Sequence, residues 1–139
     1  MSHICKTVTF VLLAASAAVF GEARADDIVV IVSAKSTANT MTPDDISKIY
    51  LGKSNAMKPI DNGDKSAVRS QFYSKVAGKD SAQVKAIWSK LVFTGKATAP
   101  RELETNSDVV KAVAADPGAI GYIEKSAVDA RVKVVLEVK

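Results

Sequence analysis

The chain has 139 residues, a formal net charge of +4, one histidine and one cysteine. This length indicates one domain, and the lysines are spread singly, without the concentrated basic patch that nucleic-acid binding requires. His3 and Cys5 both precede residue 26. Residues 26–139 therefore have no thiol nucleophile, no imidazole base and no disulfide, and no zinc, copper or haem site built on those side chains. We expect no metal, no cofactor and no nucleic-acid partner.

Residues 1–25 have the pattern of a secretory signal. Lys6 supplies a positive charge, residues 8–20 form an apolar run, and Ala23 and Ala25 stand two apart before a polar junction. The apolar run is too short to span a bilayer comfortably, although an uncleaved membrane anchor is the alternative. Cleavage near Ala25 would remove 25 of the 139 residues and leave 114. We expect a periplasmic or secreted protein with a single domain at residues 26–139.

The first half of this domain alternates strand and helix patterns. The β-branched run at residues 28–32 predicts a strand that is covered on both faces. Thr42 is predicted to begin a helix, with Pro43 at the first helical position. The segment "MKPID" at residues 57–61 predicts a short strand, and the sequence Asn-Gly-Asp that follows its last residue is a strong turn signal.

The second half continues the alternation. A helix is predicted from Ser66 to Gly78, and Ser81 is predicted to cap the next helix. That helix has the strongest apolar stripe of the chain, and we expect it to pack in the core; its members are Val84, Ile87, Trp88, Leu91 and Val92. Residues 93–107 read as a polar connection, after which Ser107 is predicted to cap a further helix.

The chain closes with two predicted strands. Residues 119–124 form one with an internal glycine, which allows close backbone approach. Residues 131–138 form the last strand, whose rough alternation suggests the edge of a sheet. Strands that alternate with helices indicate an α/β sheet with helices around it.

The stretch "DNGDKSAVRSQFY" at residues 61–73 is the candidate functional segment. In open α/β sheets, ligands gather at the carboxyl ends of strands and the amino ends of helices. The Ser66 hydroxyl could donate to an oxyanion, and Lys65 or Arg69 could neutralise its charge. Ser66 could equally cap the N–H groups of Val68 or Arg69. The residues alone leave both interpretations open.

Several segments resemble a known family. "KPIDNGDKSAVRSQFYSKV", "WSKLVFTG" and "DPGAIGYIEKSAV" resemble the second lobe of periplasmic phosphate-binding proteins, the solute receptors of phosphate ABC transporters. "IVVIVSA" and "IYLGK" look like further segments of that family, and the order agrees over nearly all of residues 26–139. The resemblance implies an α/β fold of the periplasmic-binding-protein-like type 2 class, a mixed sheet flanked by helices, shortened to about one lobe. It also implies a non-catalytic function.

The resemblance extends to single positions of the phosphate loop. Ser66 is kept, while Ala67 and Val68 replace a glycine and a threonine of the family pattern. Arg69 matches an arginine that often follows, and Asp61 falls near the position of the arginine that opens the family loop. The implied ligand is phosphate or a similar oxyanion, and the implied ligand-binding residues are Lys65, Ser66, Ala67, Val68 and Arg69.

A single open lobe leaves an anion half in water, where charge attraction is weak. Two hypotheses would restore affinity. The chain could form a face-to-face homodimer, with residues 35–41 and 93–102 as the second side of the site and Ser36 and Thr37 as further ligand-binding candidates. Alternatively, it could present its helix start to a transporter or another envelope protein. The alternative function is a ligand-free protein-interaction module. An enzyme is not expected, because no reaction-class signal appears.

Overall fold

The structure is a computed structural model and describes residues 27–139. The predicted signal at residues 1–25 lies outside the described residues, so it stays a prediction, as does the domain boundary. These residues contain five strands and four α-helices, in the order β1 Ile28–Ser33, α1 Pro43–Tyr50, β2 Lys58–Asn62, α2 Ala67–Phe72, α3 Ser81–Phe93, β3 Arg101–Leu103, α4 Asn106–Ala115, β4 Ala119–Glu124 and β5 Val132–Val138. A π-helical turn, Tyr73–Ala77, extends α2, and a short 3-10 turn, Lys125–Ala127, follows β4.

The strands form one mixed sheet in the order β3-β2-β4-β1-β5. β1 pairs antiparallel with β4 and β5, whereas β2 pairs parallel with β4 and β3. This confirms the predicted mixed α/β sheet and the predicted edge position of the last strand. Within residues 27–139, no helix is both long enough and apolar enough to cross a bilayer.

Helices cover both faces of the sheet. On one face, Val30 and Val32 of β1 pack with residues of α1, α2 and α3 in one core cluster. On the other, Val29 and Ile31 pack with the three valines of α4. Since successive side chains of a strand point to opposite faces, a strand covered on both sides needs an unbroken apolar run. All six residues of β1 are buried, as predicted.

The helix beginning at Ser66 is confirmed, but its second half winds as a π-helix. Gly78 ends it at φ 63°, a left-handed conformation that favours glycine. Gly121 in β4 is required for a steric reason instead, because a Cβ there would lie 2.8 Å from Val109 Cγ1 and 2.9 Å from Val113 Cγ2. The predicted close approach at this glycine is therefore the contact between β4 and α4.

Four details of the sequence interpretation are wrong. Asp80, not Ser81, caps α3, because its side chain accepts from the Gln83 N–H while Gln83 reaches back to the Asp80 N–H. Thr105, not Ser107, caps α4.

Residues 93–107 are not only a polar connection, since they contain β3, which pairs parallel with β2. In the apolar stripe of α3, Val84 and Trp88 are buried, whereas Val92 is 49% exposed. Val92 therefore does not pack in the core as the stripe predicted.

Candidate functional site

Asp61 lies at the carboxyl end of β2 with its side chain turned into the protein, where it is 2% exposed. The Tyr73 hydroxyl donates to Asp61 Oδ2 at 2.6 Å, and the Tyr122 hydroxyl donates to Oδ1. The backbone N–H of Asn62 also donates to Oδ1, at 2.9 Å. Two tyrosines and the backbone therefore enclose the Asp61 carboxylate, and very little of its surface reaches solvent.

Burial raises the pKa of the Asp61 carboxyl, although the bonds from Tyr122 and Tyr73 and the charge of Arg69 act to lower it. Burial together with the neighbouring carboxylate also raises the pKa of the Tyr73 and Tyr122 hydroxyls, so both remain proton donors. Asp61 is thus the acceptor at the centre of a buried polar network on the face of the sheet that α2 covers.

Arg69 connects this network to the surface. Its side chain is 5% exposed, and its Nη2 lies 3.7 Å from Asp61 Oδ2. On the outer side, Nη1 donates to Asp64 and, at 3.1 Å, to Glu102 Oε1. Burial acts to lower the pKa of Arg69, but the Asp61 carboxylate and its neighbours raise it, so the guanidinium stays charged. Among the described residues, the buried Arg69 Nε has no hydrogen-bond partner.

The residues at positions 65–68, predicted to bind the ligand, have three different surroundings in the structure. The Ser66 oxygen accepts from the Arg69 N–H at 3.4 Å, so in this structure it caps α2. Val68 packs partly buried against the core. Lys65 and Ala67 are exposed at the helix start. Of the proposed ligand-binding side chains, the structure brings Lys65, Ser66 and Arg69 to one region, around the start of α2.

A cavity of about 610 Å³ opens at this helix start, and we call it the entrance cavity. Its charged lining consists of Lys65 and three carboxylates, Asp64, Glu102 and Glu104. Arg69 already contacts two of these carboxylates. A dianion entering the cavity would therefore meet more negative than positive charge, which opposes its binding.

Ser36 and Thr37 do not join this region. They follow β1, which runs antiparallel to β4, whereas β2 runs parallel to β4. The carboxyl ends of β1 and β2 therefore point to opposite ends of the sheet, about 15 Å apart over a five-residue strand. The Ser36 oxygen caps its own loop by accepting from the Ala38 N–H, and the Ser36 carbonyl accepts from Lys133 Nζ at 2.7 Å.

Sequence reasoning missed the partners of Arg69 and Asp61. Glu102 is 33 residues from Arg69 and lies on β3, the strand that was taken for a connection. Tyr122 is 61 residues from Asp61, inside a segment noticed for its glycines. β3 pairs parallel with β2 and places Glu102 beside Asp61. A correct prediction of β3 would therefore have indicated that Glu102 lies near Asp61. Among residues 27–139, no group of three or more acidic, histidine or cysteine side chains could hold a metal ion.

The family follows from comparison with known proteins. The model of the PBP superfamily domain matches residues 14–135, which is most of the chain. The chain belongs to this family. Among curated proteins, none matches this chain in sequence.

Solved structures share the fold of this PBP domain at low sequence identity. A phosphate transport receptor of the ABC type from Vibrio cholerae has a TM-score of 0.63 at 17% identity. A protein from Clostridium perfringens assigned as a phosphate ABC transporter substrate-binding protein, solved with bound phosphate, has 0.65 at 22%, and PstS from Borrelia burgdorferi has 0.54 at 15%. The matches cover 79% of this chain and 45%, 44% and 46% of theirs, so the chain spans less than half the length of these proteins.

Proposed function

We propose that this chain is a non-catalytic binding protein of the cell envelope that holds phosphate or a similar oxyanion weakly at Arg69. The observation that carries the proposal is a buried guanidinium whose outer contacts are two half-exposed carboxylates. The Asp64 and Glu102 side chains are 58% and 48% exposed, whereas that of Arg69 is 5% exposed. Both carboxylates accept from Arg69 Nη1, and an oxyanion would use the same donor. Guanidinium groups bind carboxylate and phosphate by the same kind of hydrogen bond.

Exchange of the two carboxylates for an oxyanion is energetically accessible. The Asp64 and Glu102 side chains are half-exposed and can rotate into water, while the oxyanion takes their place and keeps the buried guanidinium paired. The ligand would gain the Nη1 donor, and a small shift of the side chain would offer Nε, which has no partner among the described residues. Lys65, the Ser66 hydroxyl and the backbone at Ala67 and Val68 complete the proposed site.

The same carboxylates set the limit on affinity. Unit charges 4 Å apart in water interact by about 1 kcal/mol, and a dianion doubles this term. With Glu104 also lining the entrance cavity, repulsion offsets much of the gain at Arg69. We therefore expect weak binding by the unmodified protein, and tighter binding once the competing charges are removed.

Isothermal titration with phosphate and with sulfate at low ionic strength tests this proposal. The variant Asp64→Asn/Glu102→Gln should bind at least about tenfold more tightly, equivalent to about 1.4 kcal/mol. The matched control is Asp44→Asn/Glu137→Gln, which removes two carboxylates, 75% and 50% exposed, from surface ion pairs elsewhere. The proposal fails if neither the wild type nor the first variant binds at millimolar anion, or if the control tightens binding equally.

A second candidate function is a protein-interaction module that keeps the lobe fold without a ligand. The contacts of Asp64 and Glu102 with Arg69 favour it, because carboxylates of the chain itself already pair with the outer Nη1 of the guanidinium. Capture of envelope proteins that is indifferent to phosphate, together with absence of anion binding, would support this alternative over the first.

Location and partners belong to the same proposal. Export rests on the pattern of residues 1–25, and a transporter or envelope partner rests on the relatives, which are described as phosphate transport receptors or substrate-binding proteins. A homodimer is the remaining proposed partner.

A further inference from the structure

Phe93, the last residue of α3, is 92% exposed. The adjacent Val92 is half-exposed, and exposed lysines stand three residues away on either side, at positions 90 and 96. A single exposed apolar side chain is ordinary, but a contiguous apolar patch with a charged border is typical of an interaction surface. The end of α3 is thus a projecting aromatic group bordered by positive charge.

A groove of about 480 Å³ lies beside this group, between α3 and the segment that leads into β3. Its lining is mainly apolar, with Trp88, Val92, Phe93 and Pro100. The charged residues of the lining are three acids and two bases: Asp61, Asp64, Glu102, Lys85 and Arg69. A second cavity of about 510 Å³ shares Trp88 and Pro100, so the apolar surface continues beyond the groove. The groove therefore offers an apolar floor together with a small excess of negative charge.

We propose that this face binds a second copy of the chain, with Phe93 of each copy packed in the groove of the other. The projecting group and the groove are chemically complementary: one is aromatic with a basic border, and the other is apolar with more acidic than basic residues. Both lie on the same face, which is the condition for a closed two-fold contact in which each copy gives and receives the same group. Lys96 of each copy would then face Asp64 and Glu102 of the other.

This inference goes beyond oxyanion binding and does not rest on it. Aromatic residues are enriched at interface cores, and a few residues in well-packed, desolvated pockets carry most of the binding energy. Opposite charges at the border of an interface contribute more to orientation and association rate, and their effect weakens with salt. We therefore expect Phe93 to supply most of the affinity and Lys96 to supply a smaller, salt-dependent part.

Sedimentation equilibrium of protein purified from expression of the full chain tests the proposal, from micromolar to about 1 mM protein. The wild type should show a monomer–dimer equilibrium, and Phe93→Ser should raise its dissociation constant at least tenfold. The matched control is Val134→Ser, which removes an exposed apolar side chain from β5 at the opposite edge of the sheet. Lys96→Glu should weaken the dimer at low salt, whereas Lys111→Glu on α4 should not.

A wild type that stays monomeric over this range overturns the proposal and leaves the groove to a different partner. Equal weakening by Phe93→Ser and Val134→Ser also overturns it, because the contact would then not be at the end of α3. Phosphate titration of Phe93→Ser separates the two proposals, since loss of the dimer should leave anion binding at Arg69 measurable.

Discussion

Replacing Tyr73 by phenylalanine removes one hydroxyl from the buried network without opening a cavity around the ring. That hydroxyl donates to Asp61 Oδ2 at 2.6 Å. Hydrogen bonds to charged groups contribute about 2 kcal/mol, whereas neutral ones contribute about 1 kcal/mol. Tyr50→Phe is the matched control, because the Tyr50 hydroxyl is equally buried and donates to the backbone carbonyls of Ile60 and Ile120. We expect Tyr73→Phe to lower the free energy of unfolding by about 2 kcal/mol and Tyr50→Phe by about 1 kcal/mol.

Urea denaturation at pH 7 measures both values by linear extrapolation. A double-mutant cycle with Asp61→Asn isolates the contribution of the charge. In the Asp61→Asn background, the cost of Tyr73→Phe should fall to about 1 kcal/mol, because the acceptor is then a neutral amide. The reasoning is refuted if Tyr73→Phe costs no more than Tyr50→Phe, or if its cost is unchanged in that background.

Three further predictions concern stability. Because burial raises the pKa of Asp61 in the folded protein, the wild type should lose free energy of unfolding relative to Asp61→Asn as pH rises from about 4 to the folded-state pKa, and urea titrations at several pH values would show this. Gly121→Ala should cost about 1–3 kcal/mol by crowding α4, and adding Val109→Ala should recover part of that loss in melting experiments. Asp80→Ala should cost about 1 kcal/mol in urea denaturation and Ser81→Ala less than about 0.5, whereas equal costs would contradict the observed cap.

Local patterns predicted much of the fold because their causes are local. The β-branched run of β1 and the Thr42-Pro43 start of α1 predict elements that the structure contains. The caps of α3 and α4 were misplaced by one and two residues, since Asp, Ser and Thr are all good caps and adjacent positions offered a choice. β3 was missed because three residues carry no alternation, and its pairing with β2 joins segments about 40 residues apart.

The site depended more heavily on distant contacts. Ser66 and Arg69 were identified as residues near a helix start, and that is where they lie. The surroundings of Arg69 could not be predicted, because Asp61 and Glu102 approach it from β2 and β3, and Tyr122 of β4 contacts Asp61 in turn. Those contacts decide the electrostatics: the acid that resembled an obstacle to an anion is buried, while acids that drew no attention line the entrance cavity.

Phosphate titration followed by NMR on nitrogen-15-labelled protein tests the central claim, oxyanion binding at Arg69, most directly. The spectrum resolves backbone amides and the arginine Nε–H group, so it reports where an anion binds as well as whether it binds. The account predicts saturable shifts at the Arg69 Nε–H and at the amides of residues 65–69, which are larger in Asp64→Asn/Glu102→Gln. Absence of shifts there in both proteins at tens of millimolar phosphate, or shifts centred on Ser36 and Thr37 instead, would contradict it.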